Sequence, residues 1–342
     1  MEAINYKCPN CGGDMVFDSE TGKLSCHSCD REDNIELMPD PLTGQVFSGD
    51  EAKEYHCKSC GAVVMTDVET AATTCSFCGS SVVLGDRLTG KLAPALVIPF
   101  AISKEEAGDA FRKWCRGGLL TPNRFRPADR IKSMTGMYVP FWLYDLDNHI
   151  EVHAQCTTVR SYRQGDYQVT ETSHFAAYRK IRLNYVRVPL DASEKMNDSL
   201  MDKLEPFPYE QLKDFKTPYL AGYIAEKNGF TDKQLLPRAK EKINGYIDAY
   251  IHSTMAGYTS VAITDKQVDT KEKQANYALL PVWVVHYDYN KLEYTFAMNG
   301  QTGKVVGKPP ISKWKVGSWF AGIFCVSLLS LKTISWLMGG GF

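Results

Sequence analysis

Two cysteine quartets constrain this chain more than any other feature. Cys8, Cys11, Cys26 and Cys29 recur as Cys57, Cys60, Cys75 and Cys78, each shifted by 49 residues. Neighbouring residues keep the same step: Tyr6 with Tyr55, Gly12 with Gly61, Asp18 with Asp67, and Glu20-Thr21 with Glu69-Thr70. A match that runs past the cysteines marks a duplicated unit. Each copy reads C-x2-C-x14-C-x2-C, two tight knuckles on a hairpin-length excursion, which suits four thiolates around a tetrahedral Zn²⁺. Two zinc ions per chain are therefore expected. Four thiolates leave no open coordination position, so this zinc is expected to be architectural.

The surroundings support that reading. The N-terminus MEAINYKCPN has no apolar run that could serve as a secretion signal, and thiols kept in a reducing compartment are metal ligands before they are disulfides. A redox Cys-x-x-Cys would need a flanking βαβ pattern, which is absent. Glycine follows the second cysteine of three knuckles (Gly12, Gly61, Gly79), where a positive φ favours it. Asp30 takes that place in the fourth, and Asp tolerates the left-handed region well enough to predict slight strain at the first site. His27 and His56 adjoin ligands but are surplus to them.

Zinc ribbons are common in nucleic-acid enzymes, yet charge argues against that use here. Residues 1–85 hold five Lys and Arg against fourteen Asp and Glu, a formal −9, while the remainder carries +8. Two Zn(Cys)₄ centres would deepen the front end to about −13, repelling phosphates. Gly85–Leu92 (GDRLTGKL) nearly matches a phosphate-binding loop, but Leu92 stands where a hydroxyl is needed and prolines follow where a helix should begin.

At 342 residues and 44% apolar composition the chain can also build a full-sized core. After LVIPF, Ser103 and Glu106 form a capping box ahead of a helix with Phe111 and Trp114 on one face, ended by Gly117-Gly118. From Tyr138 a period-two, aromatic-rich stretch with Gly-Asp turn chemistry predicts antiparallel strands, echoed after Tyr277 and closed by a hairpin at Asn299-Gly300 and Thr302-Gly303. Pro140-Phe-Trp142 and Pro281-Val-Trp283 hint at two related halves. Helices are expected over Ser193–Leu204 and Asp232–Ile251. No nucleophile elbow, HExxH or paired-carboxylate motif emerges, and His149, His153, His174, His252 and His286 are scattered, so a non-enzymatic role is expected.

Val316–Leu331 has no charge, and TISWLM extends the run to Met338 past Lys332. About 23 residues at ~1.5 Å rise reach roughly 34 Å, enough to cross a bilayer core. Lys304, Lys308, Lys313 and Lys315 precede it, so the positive-inside rule places the N-terminal domains in the cytoplasm of a single-pass protein of the cell membrane. The reading is thus α+β: zinc ribbon 1 (1–35), an acidic linker (36–53), zinc ribbon 2 (54–84), an α+β domain with antiparallel sheet (85–312) and a transmembrane helix (313–338).

CPNCGGDM, the second set of Cys-x-x-Cys pairs, YVPFWLYD, NGQTGKVVGKPPIS and the tryptophan-rich tail together resemble the YdjG-like double zinc-ribbon membrane proteins of Gram-positive bacteria, often labelled TFIIB-type or PriA-like. The resemblance implies that the eight cysteines are zinc ligands. It also implies a cytoplasm-facing membrane component working beside phage-shock and flotillin-like (SPFH) proteins in envelope stress. An adaptor that recruits cytosolic protein is the leading expectation; a nucleic-acid module for transcription or replication restart is the alternative.

Overall fold

The computed structural model describes residues 4–38, 55–64, 66, 70–75, 78–88, 94–118, 120–122, 131–289 and 292–337. Most of the 36–53 linker, Asp67 and Glu69 of the repeat, the end of Gly85–Leu92 and the tail from Met338 lie outside them. Ribbon 1 is three antiparallel strands, β1 (Met15–Asp18), β2 (Lys23–Cys26) and β3 (Glu32–Asp33). Asp18 shapes its hairpin by accepting from Glu20 N at 2.9 Å and Thr21 Oγ1 at 3.0 Å. Ribbon 2 pairs β4 (Tyr55–His56) with β5 (Val63–Val64), and β6 (Thr70–Thr74) with β7 (Ser81–Val83). Tyr55, Val64, Val82 and Leu84 pack with Cys57 and Cys75 into a core of its own.

The α+β body runs β8 (Leu96–Val97), α1 (Lys104–Arg116), β9 (Ile131–Gln164), β10 (Tyr167–Asp191), α2 (Asp198–Leu204) and β11 (Lys213–Asp214). It continues with β12 (Ile224–Glu226), α3 (Asp232–Ser253), β13 (Ser260–Tyr289), β14 (Leu292–Asn299) and β15 (Val305–Val306). The long strands β9 and β13 lie antiparallel, with Val139 opposite Leu280.

Around that pair the body repeats itself. β8–α1–β9–β10 and β12–α3–β13–β14 follow one order, and each half lends its first strand to the other: β8 runs parallel to β13, β12 parallel to β9. Trp142 Nε1 donates to Phe230 O at 2.8 Å and Trp283 Nε1 to Ile102 O at 3.0 Å. Each carbonyl sits one residue before a helix N-cap, Thr231 or Ser103, and both caps are capping boxes, closed by Gln234 and Glu106. The two Pro-x-Trp stretches therefore occupy equivalent places, with each indole fixing the entry of the other half's helix.

The two faces of the sheet are covered differently. α2 and the segment after it set Met201, Leu204 and Phe207 against Val139, Phe141, Leu280 and Val282. On the other face, Leu235, Ala239, Ile243, Ile247 and Ile251 of α3, at helical spacing, cover Ile150, Val152, Ala154 and Cys156 of β9. α2 begins five residues later than expected. Ser193 is held in a turn instead, its hydroxyl donating to Glu226 at 2.6 Å and accepting from Lys195 N and Met196 N, and Asn197 caps the helix.

The last element is α4 (Lys313–Leu337). By length and composition its Lys313–Ile334 stretch can cross a membrane, with mean hydropathy 1.4 and no part buried in the protein. It springs from the end of α1, where Ser312 N donates to Leu120 O at 2.8 Å and Lys315 Nζ to Thr121 O at 2.7 Å.

Candidate metal centres

All four knuckles have one geometry. The amide after each Cys-x-x-Cys turns back to the carbonyl of its first cysteine: Gly12 N to Cys8 O at 2.8 Å, Asp30 N to Cys26 O at 2.9 Å, Gly61 N to Cys57 O at 2.7 Å and Gly79 N to Cys75 O at 2.9 Å. The residue making that turn has φ +74°, +55°, +74° and +75° in the same order. Asp30 thus adopts the left-handed conformation its glycine counterparts adopt, and the first site keeps its shape. Cys8, Cys26, Cys57 and Cys75, the first of each knuckle, are buried; Cys11, Cys60 and Cys78 are exposed and Cys29 half-buried.

These turns bring each quartet together. Cys8 Sγ lies 3.6 Å from Cys29 Sγ and Cys11 Sγ 3.5 Å from Cys26 Sγ; in ribbon 2, Cys57 to Cys78 is 3.7 Å and Cys60 to Cys75 3.8 Å. Within each quartet all four sulfurs lie within 4.8 Å of one another. A tetrahedral ion with metal–sulfur bonds of about 2.3 Å requires edges of about 3.8 Å, so both cages can hold a metal ion, and their donor set is consistent with zinc. The electrostatics also call for a cation. The Gly13 and Ala62 amides pull Cys11 and Cys60 down, but the neighbouring thiols outweigh them and push both up to about 12. The Ser80 hydroxyl and amide draw Cys78 down to about 6. Ionising all four thiols of a cage at neutral pH takes a positive charge among them.

The cages are joined to each other and to the body. Between ribbons, Asp14 accepts from Ser80 Oγ at 2.7 Å and pairs with Lys7, and Ile4 exchanges backbone hydrogen bonds with Val83. Burial raises Asp14, but Lys7 and Ser80 hold it below its ordinary value. Ribbon 1 meets the body mostly through side chains, with one backbone hydrogen bond, Phe17 N to Ala221 O at 2.9 Å. Phe17 packs edge-on to Tyr219 at 5.4 Å and touches Tyr223, whose ring stacks on Phe100 at 4.2 Å. Glu36 accepts from Tyr219 OH at 2.7 Å and pairs with Lys216, contacts that lower its pKa against its burial. Ribbon 2 meets the body through backbone: β6 is antiparallel to β12, pairing Ala72 with Ala225 and Thr70 with Glu226, and so continues the body's sheet.

Part of the acidic charge of the front end is already paired, Asp14, Glu32 and Asp33 with its own Lys7, Lys23 and Arg31, and Glu36 with Lys216 of the body. A cleft of about 800 Å³ between ribbon 1, the start of α1 and the base of β9 gathers Asp18, Glu20, His27, Asp30, Lys104 and Glu105. It escapes sequence reading because segments far apart in the chain build it, Thr74, residues 222–224 and Trp283 among them. The remaining singled-out residues are dispersed. His149 and His153 share the open face of β9, His153 lying against Tyr178 at 4.8 Å, while His174, His252 and His286 sit on β10, α3 and β13. Cys115 is buried in α1, where desolvation pushes it up to about 12; Cys156 is buried on β9 and Cys325 is exposed on α4.

No family model and no solved structure matches the chain. Among curated proteins it is 65% identical over 339 residues to "Uncharacterized protein YdjG" of Bacillus subtilis (strain 168), spanning 99% of both chains. Identity of that extent, over ribbons, body and terminal helix alike, means that the chain belongs to the YdjG family.

Proposed function

We propose that this chain is a non-enzymatic, membrane-anchored zinc-ribbon adaptor that holds a cytosolic protein at the bilayer. One observation carries the reading: two four-cysteine cages are joined to one α+β body, from which a long apolar helix extends with no protein covering it. Zinc in these cages has structural work only. Apolar side chains around the whole helix, Trp314, Phe320, Ile323 and Leu329 among them, need lipid. Lys304, Lys308, Lys313 and Lys315 at its start favour a cytoplasmic body. The resemblance supplies the partner class, an SPFH or phage-shock protein acting in envelope stress.

The full-length chain is solubilised from membranes and compared with a form ending at Ser312. We expect the full chain to resist carbonate extraction and to bring down an SPFH protein, and the shorter form to be soluble and to leave that protein in the cytosol. A full chain that washes off the membrane, or that binds DNA or RNA with steep salt dependence, would replace this reading with the nucleic-acid one.

A further inference from the structure

Beyond the body, β9, β10 and the first part of β13 continue as a three-stranded arm, turning at Gly165-Asp166. Its two outer edges are built differently. The β13 edge is interrupted by bulges between Ile263 and Asp265 and between Glu272 and Gln274, and carries Lys266, Lys271 and Lys273. Bulges and lysines are what keep an edge strand from pairing with another chain. The β10 edge has no bulge between Tyr167 and Tyr185, and its charged residues, Glu171, Arg179, Lys180 and Arg182, carry both signs. Tyr167–Tyr185 runs in unbroken register with β9, contains no proline, and pairs with no other described strand. Strands of globular proteins are usually 3–10 residues long, so an uncovered ladder of this length is a template for another strand.

We infer that the β10 edge pairs antiparallel with the β10 edge of a second copy of this chain, about a two-fold centred on Phe175. That register is self-complementary. It places Glu171 opposite Arg179 twice, Val169 opposite Ile181, Tyr167 opposite Leu183 and Ser173 opposite Ala177, and on the other face Thr170 opposite Lys180 and Gln168 opposite Arg182. No like charges meet. Registers centred on His174 or Ala176 set Glu171 against Ala177 or Ile181 instead.

Helix α3 agrees with this arrangement. It covers only the base of the arm on the Phe175 face, ending where Arg179 Nη2 reaches Thr254 O and Phe175 meets Tyr258 at 5.6 Å. Antiparallel pairing therefore sets the helix of one copy beside the bare tip of the other. Tyr246 is 62% exposed although its ring lies 6.4 Å from that of Tyr185 at the strand edge, and Tyr167 at the tip is 78% exposed. Because Leu183 faces the second copy's Tyr167, the two exposed tyrosines are brought together. Given the proposed anchoring, on which only this orientation rests, the two-fold stands along the membrane normal and the arms lie parallel to the lipid surface.

The test is the mass of the full-length chain in detergent by light scattering across concentration. Two chains are expected. Glu171→Arg, an exposed change, should weaken dimerisation about tenfold or more because the symmetry repeats the clash, and Arg179→Glu should do likewise. The double reversal should restore it, which happens only if each copy supplies both charges. In parallel, Phe175→Cys should cross-link on mild oxidation far more than His174→Cys does. A single-chain mass at micromolar concentration, a dimer that both reversals leave intact, or a double variant that stays monomeric would each overturn the inference.

Discussion

The two ribbons share one four-cysteine clip and attach to the protein in different ways. Ribbon 1 closes its own three-stranded sheet and is held by the side chains of Phe17, Tyr6 and Glu36, laid against Tyr219, Thr217 and Lys216, and by a single backbone bond from Phe17 N to Ala221 O. Ribbon 2 gives β6 to the body's sheet, so its cage closes a hairpin whose other edge is the body itself. Duplication copied the cage. The segments around it decided whether the copy became a docked module or a part of the core.

Removing one ligand from each cage separates these roles most strongly. Cys26→Ser and Cys75→Ser should each cost one metal ion per chain. Only Cys75→Ser should also lower the main melting transition, by more than ~10 °C, because losing that cage frees β6 from β12. Calorimetry with metal analysis reads both. Next in size, Phe17→Ala removes the buried ring that seats ribbon 1 and should cost about 3 kcal/mol. Amide exchange should quicken over residues 215–223 while both metals stay bound. Gly136→Ala tests the aromatic floor beneath that ring: a Cβ there would come within 2.7 Å of Tyr223 and 2.9 Å of Trp283. A loss of about 1–3 kcal/mol is expected in urea unfolding.

Smaller effects sharpen the same contrast. Glu36 is depressed below its ordinary value in the folded chain, so its contribution is present above its unfolded pKa and fades as pH falls through the folded one. With its side chain half-exposed, Glu36→Gln at neutral pH should cost less than ~1 kcal/mol and leave ribbon 2 untouched. Asp30→Gly should be the mildest, changing stability by ~0.5 kcal/mol or less, since Asp30 already holds its φ of +55° at little cost.

What could be read from the sequence was what chemistry forces into local spacing. Tetrahedral sulfur coordination calls for such knuckles, so the eight cysteines and their grouping into two clusters were legible. Ser103 with Glu106 announced α1, and the glycines after Asn299 announced the turn into β15. What escaped was non-local. β12 is three residues, Ile224–Glu226, too short to show a period, yet it joins ribbon 2 to β9. The relation between the body's halves shows only in Pro140, Trp142, Pro281 and Trp283, because helices of 13 and 22 residues shift the rest out of step. Nor could the period-two pattern of the arm reveal which edge of β10 stays bare, since pairing partners leave no local trace.

Metal content tests most directly whether two metal-filled cages are built into one folded body. Elemental analysis of the intact, detergent-purified chain should find two zinc ions per chain, falling to one in Cys26→Ser and in Cys75→Ser. A chain that is fully folded with no bound metal, or one whose metal content neither substitution changes, would contradict that arrangement.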